Sequence, residues 1–149
     1  GFLHFVDFSD LKNPKEVARF ELPGYGSHNF WVEDDVVYAG MYNGGVRVID
    51  VSGELLGDLY KQGREIAAFK TGSPSGFIPN NTMTWGAQYF KGNIFYSDFN
   101  AGIGALKLLD SKPDNSNTMQ FTTDKSLDNL FGAKNLLELF EILASPPIE

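Results

Sequence analysis

The chain has 149 residues, a net charge of −7 and no cysteine. Its length is sufficient for a hydrophobic core, and its thirteen Phe, six Tyr, two Trp and sixteen Gly favour a turn-rich β protein over a helical bundle. The missing cysteines exclude disulfides and thiolate metal sites. The acidic charge argues against nucleic-acid binding, and no apolar run approaches the roughly 20 residues of a membrane-spanning helix.

The first predicted elements are two strands, LHFVDFS at residues 3–9 and EVARFELP at residues 16–23. Both are rich in apolar and β-branched or aromatic residues, as strands are. The chain begins with Gly inside the first of these strands. We therefore expect a fragment or a processed product.

Four further strands are predicted at residues 28–33, 36–42, 46–51 and 64–71. Asp34-Asp35 indicates a turn between the first two. Asn43-Gly44 is expected to form the next turn with positive φ angles, which Gly and Asn tolerate. The four strands would form one antiparallel meander.

The same pattern returns after 57 residues without a gap, since Tyr42 falls on Phe99, Asn43 on Asn100 and Gly45 on Gly102. The second copy comprises predicted strands at residues 84–90, 93–99 and 102–109, with a fourth at 118–123. The opening strands also match, because residues 3–9 align with residues 46–52. The chain thus begins with the last two strands of one unit.

Repeated four-stranded units are typical of a β-propeller, and a β-sandwich with a chance internal resemblance is the alternative. The predicted organisation is an all-β chain with a partial blade at residues 1–23, a blade at 24–72 and a blade at 82–123. Residues 124–149 are predicted to form a C-terminal helical tail, because their leucines and phenylalanines give one broad apolar stripe. The tail would cover an exposed sheet edge or dock a partner.

Two segments, VRVIDVSGEL after YNGG and LHFVDFSDLKNP, resemble the repeats of the LVIVD-repeat β-propeller family. The match is good at residues 3–14 and 45–52 and weaker at 102–110, where Lys107 stands in place of the repeat's Asp. The resemblance implies a propeller fold and an extracytoplasmic location, either secreted, periplasmic or on the cell surface. It implies no particular activity.

Two and a half blades cannot close a ring, since propellers have at least about four. The missing blades would come from a longer chain or from other subunits, so the predicted partners are further propeller blades or copies of the chain. Nucleic acid and a membrane span are not expected.

Candidate binding residues lie in two segments, 24–29 and 72–85, that are predicted to form rim loops. The residues singled out there for ligand contact are Tyr25, His28, Asn29, Phe77 and Trp85. His28 is also a candidate metal ligand, provided that other blades supply further ligands. His4 is interpreted as a packing residue, and Asp7 and Asp50 as hydrogen-bond acceptors at strand ends.

No catalytic motif is present, and the sequence requires no cofactor. The leading hypothesis is a non-catalytic β-propeller module for binding or scaffolding. One alternative is a metal-dependent enzyme with a central-channel site that uses His28. Another is a self-assembling surface or filament protein.

Overall fold

The computed structural model describes residues 1–108 and 121–122, and these residues form strands and turns without a helix. None of the described residues builds a helix that could cross a bilayer. The strands are β1 (Phe2–Asp7), β2 (Lys15–Glu21), β3 (Phe30–Glu33), β4 (Val36–Gly40), β5 (Val46–Asp50), β6 (Gly57–Asp58), β7 (Glu65–Phe69), β8 (Thr84–Phe90), β9 (Asn93–Asp98), β10 (Gly102–Leu108) and β11 (Phe121–Thr122).

The strands are arranged in three small sheets. The first has the order β1-β2-β6, the second β3-β4-β5-β7 and the third β8-β9-β10-β11. All neighbours pair antiparallel except β2 and β6, which are parallel. The all-β prediction and the two meanders are therefore confirmed.

Strands β4 and β5 are buried on both faces because the second sheet lies between the other two. Val37, Ala39 and Ile49 pack with Leu3 and Phe20 of the first sheet. On the opposite face, a second core cluster joins the second sheet to the third; its members are Tyr38, Val46, Val48, Ala67, Ala87, Ile94 and Leu106. Each buried Val, Ile or Leu side chain contributes about 1.5–3 kcal/mol relative to exposure. The stack therefore depends on the apolar residues that β4 and β5 place on both of their faces.

The 57-residue repeat is reproduced in the strand register. Val37 pairs with Ile49 in the second sheet, and their equivalents Ile94 and Leu106 pair in the third. The turns agree as well, since φ is positive at Asp34 and Asp35 and also at their equivalents, Lys91 and Gly92. The two sheets therefore share backbone conformation as well as sequence pattern.

The first sheet reproduces the outer half of the second. Leu3 pairs with Phe20 as Val46 pairs with Phe69, and both strand pairs have a β-bulge at the same position, between Phe5 and Val6 and between Val48 and Ile49. A bulge is a specific local feature that a chance resemblance does not reproduce. The strand pair β1–β2 thus matches the pair β5–β7 in register and in the position of its bulge.

The ends of the equivalent strands β1 and β5 also match. Asp7 Oδ1 accepts a hydrogen bond from the backbone N–H of Ser9 at 2.8 Å, and Asp50 Oδ1 accepts one from Ser52 at 2.8 Å. The hydroxyl group of the serine and, second to it, this backbone N–H lower the pKa of both carboxyl groups. The structural interpretation of Asp7 and Asp50 is confirmed.

The β4–β5 turn, the surroundings of His4 and the short strand β6 differ from what the sequence predicts. In the β4–β5 turn, φ is positive at Tyr42 and Gly45 and not at Asn43 or Gly44, so the residues flanking the predicted pair carry the left-handed conformation. His4 is not a packing residue: its side chain is half exposed, and Nδ1 lies 2.7 Å from Glu16 Oε2. The short strand β6 was missed because two residues show no periodicity.

Two predicted elements lie wholly or partly outside the described residues. Phe121–Thr122 forms β11 within the predicted strand at residues 118–123, and it pairs with β10. The predicted helical tail at residues 124–149 lies outside the described part of the chain.

Candidate functional site: an aromatic surface beside an anchored loop

The second and third sheets meet through backbone groups at one end of β4 and β8. Tyr42 and Thr84 exchange two hydrogen bonds, each with an N···O distance of 2.9 Å. Gly40 makes this approach possible, because a Cβ atom there would lie only 2.6 Å from the backbone nitrogen of Gly86. The junction fixes the relative positions of the side chains around it.

His28 and Trp85 occupy equivalent positions of the repeat and contact each other across the junction. Their rings stack with centroids 5.2 Å apart and an interplanar angle of 19°. His28 Nδ1 also lies 2.8 Å from the carbonyl oxygen of Trp85. A carbonyl can only accept, so Nδ1 carries the proton and the remaining lone pair of a neutral His28 ring lies on Nε2.

Tyr42 and Phe99 form a second equivalent pair beside the first. The Phe99 ring stacks on Trp85 at 5.3 Å and 11°, and the Tyr42 ring meets His28 edge-on at 5.2 Å and 80°. Such ring pairs contribute about 0.5–1.5 kcal/mol beyond their burial. The four rings of His28, Tyr42, Trp85 and Phe99 are hereafter called the aromatic surface.

The aromatic surface is open to solvent. Phe99 is 74% exposed and Trp85 is 42% exposed, and two further apolar side chains in the neighbouring loop are exposed, Phe77 at 92% and Ile78 at 54%. Isolated exposed apolar residues are common, but a contiguous group of them marks an interaction site. The candidate site therefore consists of the aromatic surface together with Phe77 and Ile78, at one end of the stacked sheets.

The loop that carries Phe77 and Ile78, residues 71–84, is held at both ends by the buried carboxylate of Asp98. Its Oδ2 accepts hydrogen bonds from the hydroxyl of Thr71 and from the backbone N–H of Met83, the latter at 2.7 Å. Its Oδ1 accepts from the backbone N–H groups of Asn100 and Ala101, each at 2.8 Å.

Asp98 is only 4% exposed, so its protonation depends on these bonds. Burial by itself would raise the pKa of Asp98, but the hydrogen bonds from Thr71, Met83, Ala101 and Asn100 outweigh it and hold the pKa below the ordinary value. The carboxylate is therefore ionised at neutral pH and serves as a structural anchor.

Asn100 holds the middle of the same loop. Its Nδ2 donates to the carbonyl oxygens of Ile78 at 2.9 Å and Asn81 at 2.8 Å, and its Oδ1 accepts from the N–H of Ile78 at 2.6 Å. Phe77 N–H also donates to the Asn100 carbonyl at 3.0 Å. These bonds fix the backbone of Phe77 and Ile78 against Asn100, the residue that follows Phe99 in the chain.

The other predicted site residues have different surroundings. Asn29 is exposed, and its backbone N–H donates to the Trp85 carbonyl at 2.9 Å. Tyr25 packs against the core between the first and second sheets, and its ring lies under Lys70 Nζ at 4.3 Å and Arg47 Cζ at 5.5 Å. The structure thus brings His28, Asn29, Trp85 and the loop of Phe77 to one junction, with Tyr25 in a separate cation–π group.

Among the described residues, no three His, Asp or Glu side chains lie close enough together to hold a metal ion. His28 faces aromatic rings and a backbone carbonyl there. Its role as a metal ligand remains a hypothesis that would require ligands from outside the described residues.

Three contributors to the site were missed by sequence reasoning: Phe99, Asp98 and Asn100. The signal for Phe99 and Asn100 was present, because the repeat aligns them with Tyr42 and Asn43. Asp98 gave a weaker signal, since a carboxylate at a strand end usually faces solvent. Its burial depends on the position of the loop, which the repeat does not predict.

Comparisons of the chain with protein-family models, with curated proteins and with solved structures found no match.

Proposed function

We propose that the chain is part of a β-propeller that acts as a non-catalytic binding module, and that its aromatic surface recognises a polypeptide partner. The propeller assignment is supported by three face-to-face sheets with a repeated strand register and a repeated bulge. The resemblance to LVIVD repeats points the same way and carries the proposal of an extracytoplasmic location.

The observation behind the binding role is the group of exposed rings at the sheet junction. Phe77 and Phe99 are among the most exposed large apolar residues of the described chain, at 92% and 74%. Aromatic residues that are held rigidly are enriched at the energetic centres of protein interfaces, because they bury a large area at a small entropic cost. The hydrogen bonds of Asp98 and Asn100 provide this rigidity.

A polypeptide partner is favoured over a small polar ligand by the character of the surface. The exposed rings of Trp85 and Phe99 are apolar, and the carboxylate of Asp98, the residue before Phe99, is buried and accepts four hydrogen bonds. No cluster of metal-ligating side chains among the described residues favours the metal-dependent enzyme.

The proposal can be tested by selecting peptides from a random displayed library on the immobilised protein. The test variant is Phe77→Ser combined with Phe99→Ser. The control combines Phe2→Ser with Phe8→Ser, which removes two exposed rings, at 45% and 58% exposure, from another part of the molecule. We expect peptides that bind the wild type and the control but lose at least about tenfold in affinity for the test variant.

Failure to enrich any peptide, or equal binding to both double variants, would overturn the proposal. A glycan array probed with the same three proteins separates a sugar-binding surface from a peptide-binding one. Glycan binding that is lost only in the Phe77/Phe99 variant would replace the polypeptide partner by a carbohydrate.

A further inference from the structure

The first sheet has an edge that differs from its counterpart in the second. Strand β5 pairs with β7 on one side and with β4 on the other. Its equivalent, β1, pairs with β2, and within residues 1–108 and 121–122 no strand pairs with its other edge. The unpaired N–H and C=O groups of such an edge are a template for another strand.

The neighbouring face of β3 is apolar and exposed. Phe30 and Val32 pair with Ala39 and Val37, whose side chains belong to the core between the first and second sheets. Phe30 and Val32 therefore point to the first sheet, yet they are 59% and 52% exposed.

The third sheet has a face equivalent to that of Phe30 and Val32, and there the face is covered. Phe30 and Val32 correspond to Ala87 and Tyr89 of β8. Ala87 is 6% exposed, and Tyr89 stacks on Tyr38 of β4 with centroids 5.1 Å apart. In the third sheet, this face is thus covered by β4 of the preceding unit, and the strand missing from the first sheet is the counterpart of β4.

A cavity of about 310 Å³ lies where that strand would run. Its walls are mainly apolar and come from both sheets, with Leu3 and Phe5 of β1 on one side and Phe30, Val32 and Val37 on the other. A free strand edge beside an apolar cavity has the two features that strand addition uses: backbone hydrogen bonds for affinity and a recess for alternate side chains.

We infer that this edge and cavity receive a two-stranded β-hairpin with the chemistry of β3 and β4, supplied by polypeptide outside the described residues. One strand of the hairpin pairs antiparallel with β1, in the register in which β4 pairs with β5. Its apolar side chains fill the cavity and cover Phe30 and Val32. The inference rests on the repeat alone and requires no ligand at the aromatic surface.

The probe for this inference is a labelled peptide with the sequence of residues 28–42, HNFWVEDDVVYAGMY, which forms the equivalent hairpin of the second sheet. Its binding to the full chain is measured by fluorescence anisotropy, with a scrambled peptide of the same composition as a control. Val32→Glu places a charge in the cavity. Ile103→Glu makes the same change at a strand residue of similar exposure, 43%, in the third sheet.

We expect saturable binding of the hairpin peptide to the wild type and to Ile103→Glu. Binding to Val32→Glu should be at least about tenfold weaker, because a carboxylate would be buried without a partner. No binding to the wild type, or equal binding to the two variants, would refute the inference. A dimer in light scattering that dissociates only in Val32→Glu would also refute it, because the surface would then be occupied by a second copy.

Discussion

The β4–β5 turn of the second sheet and the β9–β10 turn of the third have the same place in the repeat but different roles. Met41 and Asp98 are equivalent, and both are buried, at 0% and 4% exposure. Met41 packs in the core between the first two sheets, whereas Asp98 accepts hydrogen bonds from both ends of the loop at residues 71–84. One change of residue type has turned a packing position into a loop anchor.

This comparison shows how a repeat can diverge without losing its fold. The strand register and the positive φ of Gly45 and Gly102 are the same in both units. The backbone differs in places, since φ is positive at Tyr42 but not at its equivalent Phe99. The side chains at this end of the sheets differ too, and they create the junction, the anchored loop and the aromatic surface.

The largest expected effect on stability concerns Gly45 and Gly102. Gly45→Ala should be severely destabilising, because φ is +84° and the new Cβ would lie 2.0 Å from the carbonyl oxygen of Phe69. Gly102→Ala has the same unfavourable φ, +93°, but no atom within 4 Å of the new Cβ. We expect losses of more than about 3 kcal/mol and about 1 kcal/mol, respectively, in the free energy of unfolding measured with urea. Equal losses would show that backbone strain alone controls both sites.

Asp98→Asn should cost about 2–4 kcal/mol at neutral pH, because an NH2 group, which can only donate, replaces one of the two acceptor oxygens of a buried network. The pKa of Asp98 is lowered in the folded protein, so its ionised form stabilises the fold above the ordinary Asp value of 3.8. This stabilisation is lost as the pH falls through the folded pKa.

The difference in stability between wild type and Asp98→Asn should therefore narrow as the pH falls below about 4. Urea unfolding at several pH values measures it. Asp50→Asn is the reference, since Asp50 also ends a strand and also has a lowered pKa but lies outside the buried network, so its difference from wild type should change less with pH. A difference that does not change with pH would mean that the carboxylate is not the stabilising form.

Asn100→Ala should release the loop of Phe77 with a loss of about 1–3 kcal/mol, because three side-chain hydrogen bonds to the loop disappear. The equivalent Asn43 donates only to the Gly24 carbonyl, at 3.3 Å, so Asn43→Ala should cost less. Limited proteolysis provides the readout. Cleavage within residues 72–82 should accelerate in Asn100→Ala and stay at the wild-type rate in Asn43→Ala; acceleration in both would contradict the specific role of Asn100.

Phe99→Ala should have the smallest effect on stability, about 1 kcal/mol or less, because the ring is 74% exposed. It should nevertheless shift the tryptophan emission, since Phe99 stacks on Trp85. A loss above about 3 kcal/mol would show that the ring is part of the core and not part of a recognition surface.

The architecture was accessible from the sequence because it depends on local patterns. Runs of strand-forming residues, turn residues and the 57-residue shift predicted the strands of the second and third sheets nearly to their observed ends. The same shift could have identified Phe99, since it aligns with Tyr42.

The candidate site was less accessible because it depends on long-range contacts. The stacking of His28 on Trp85 arises only when two sheets come together, and the burial of Asp98 only when a distant loop covers it. The positive φ at Tyr42 and Gly45 was missed for a different reason: Asn-Gly is a common pair at the centre of a hairpin, but here it lies between the two left-handed residues.

Both ends of the loop at residues 71–84 are attached to the single carboxylate of Asp98, so the length of the loop can change while its ends stay in place. Thr71 and Met83 both donate to Asp98 Oδ2, so the ends of the loop are held together whatever connects them. Lengthening a surface loop with fixed ends costs little, about 0.6 kcal/mol for each doubling of its length. Residues 72–82 are thus a segment of the described chain where new sequences can be inserted while the sheets remain unchanged, and where related chains would be free to acquire different specificities.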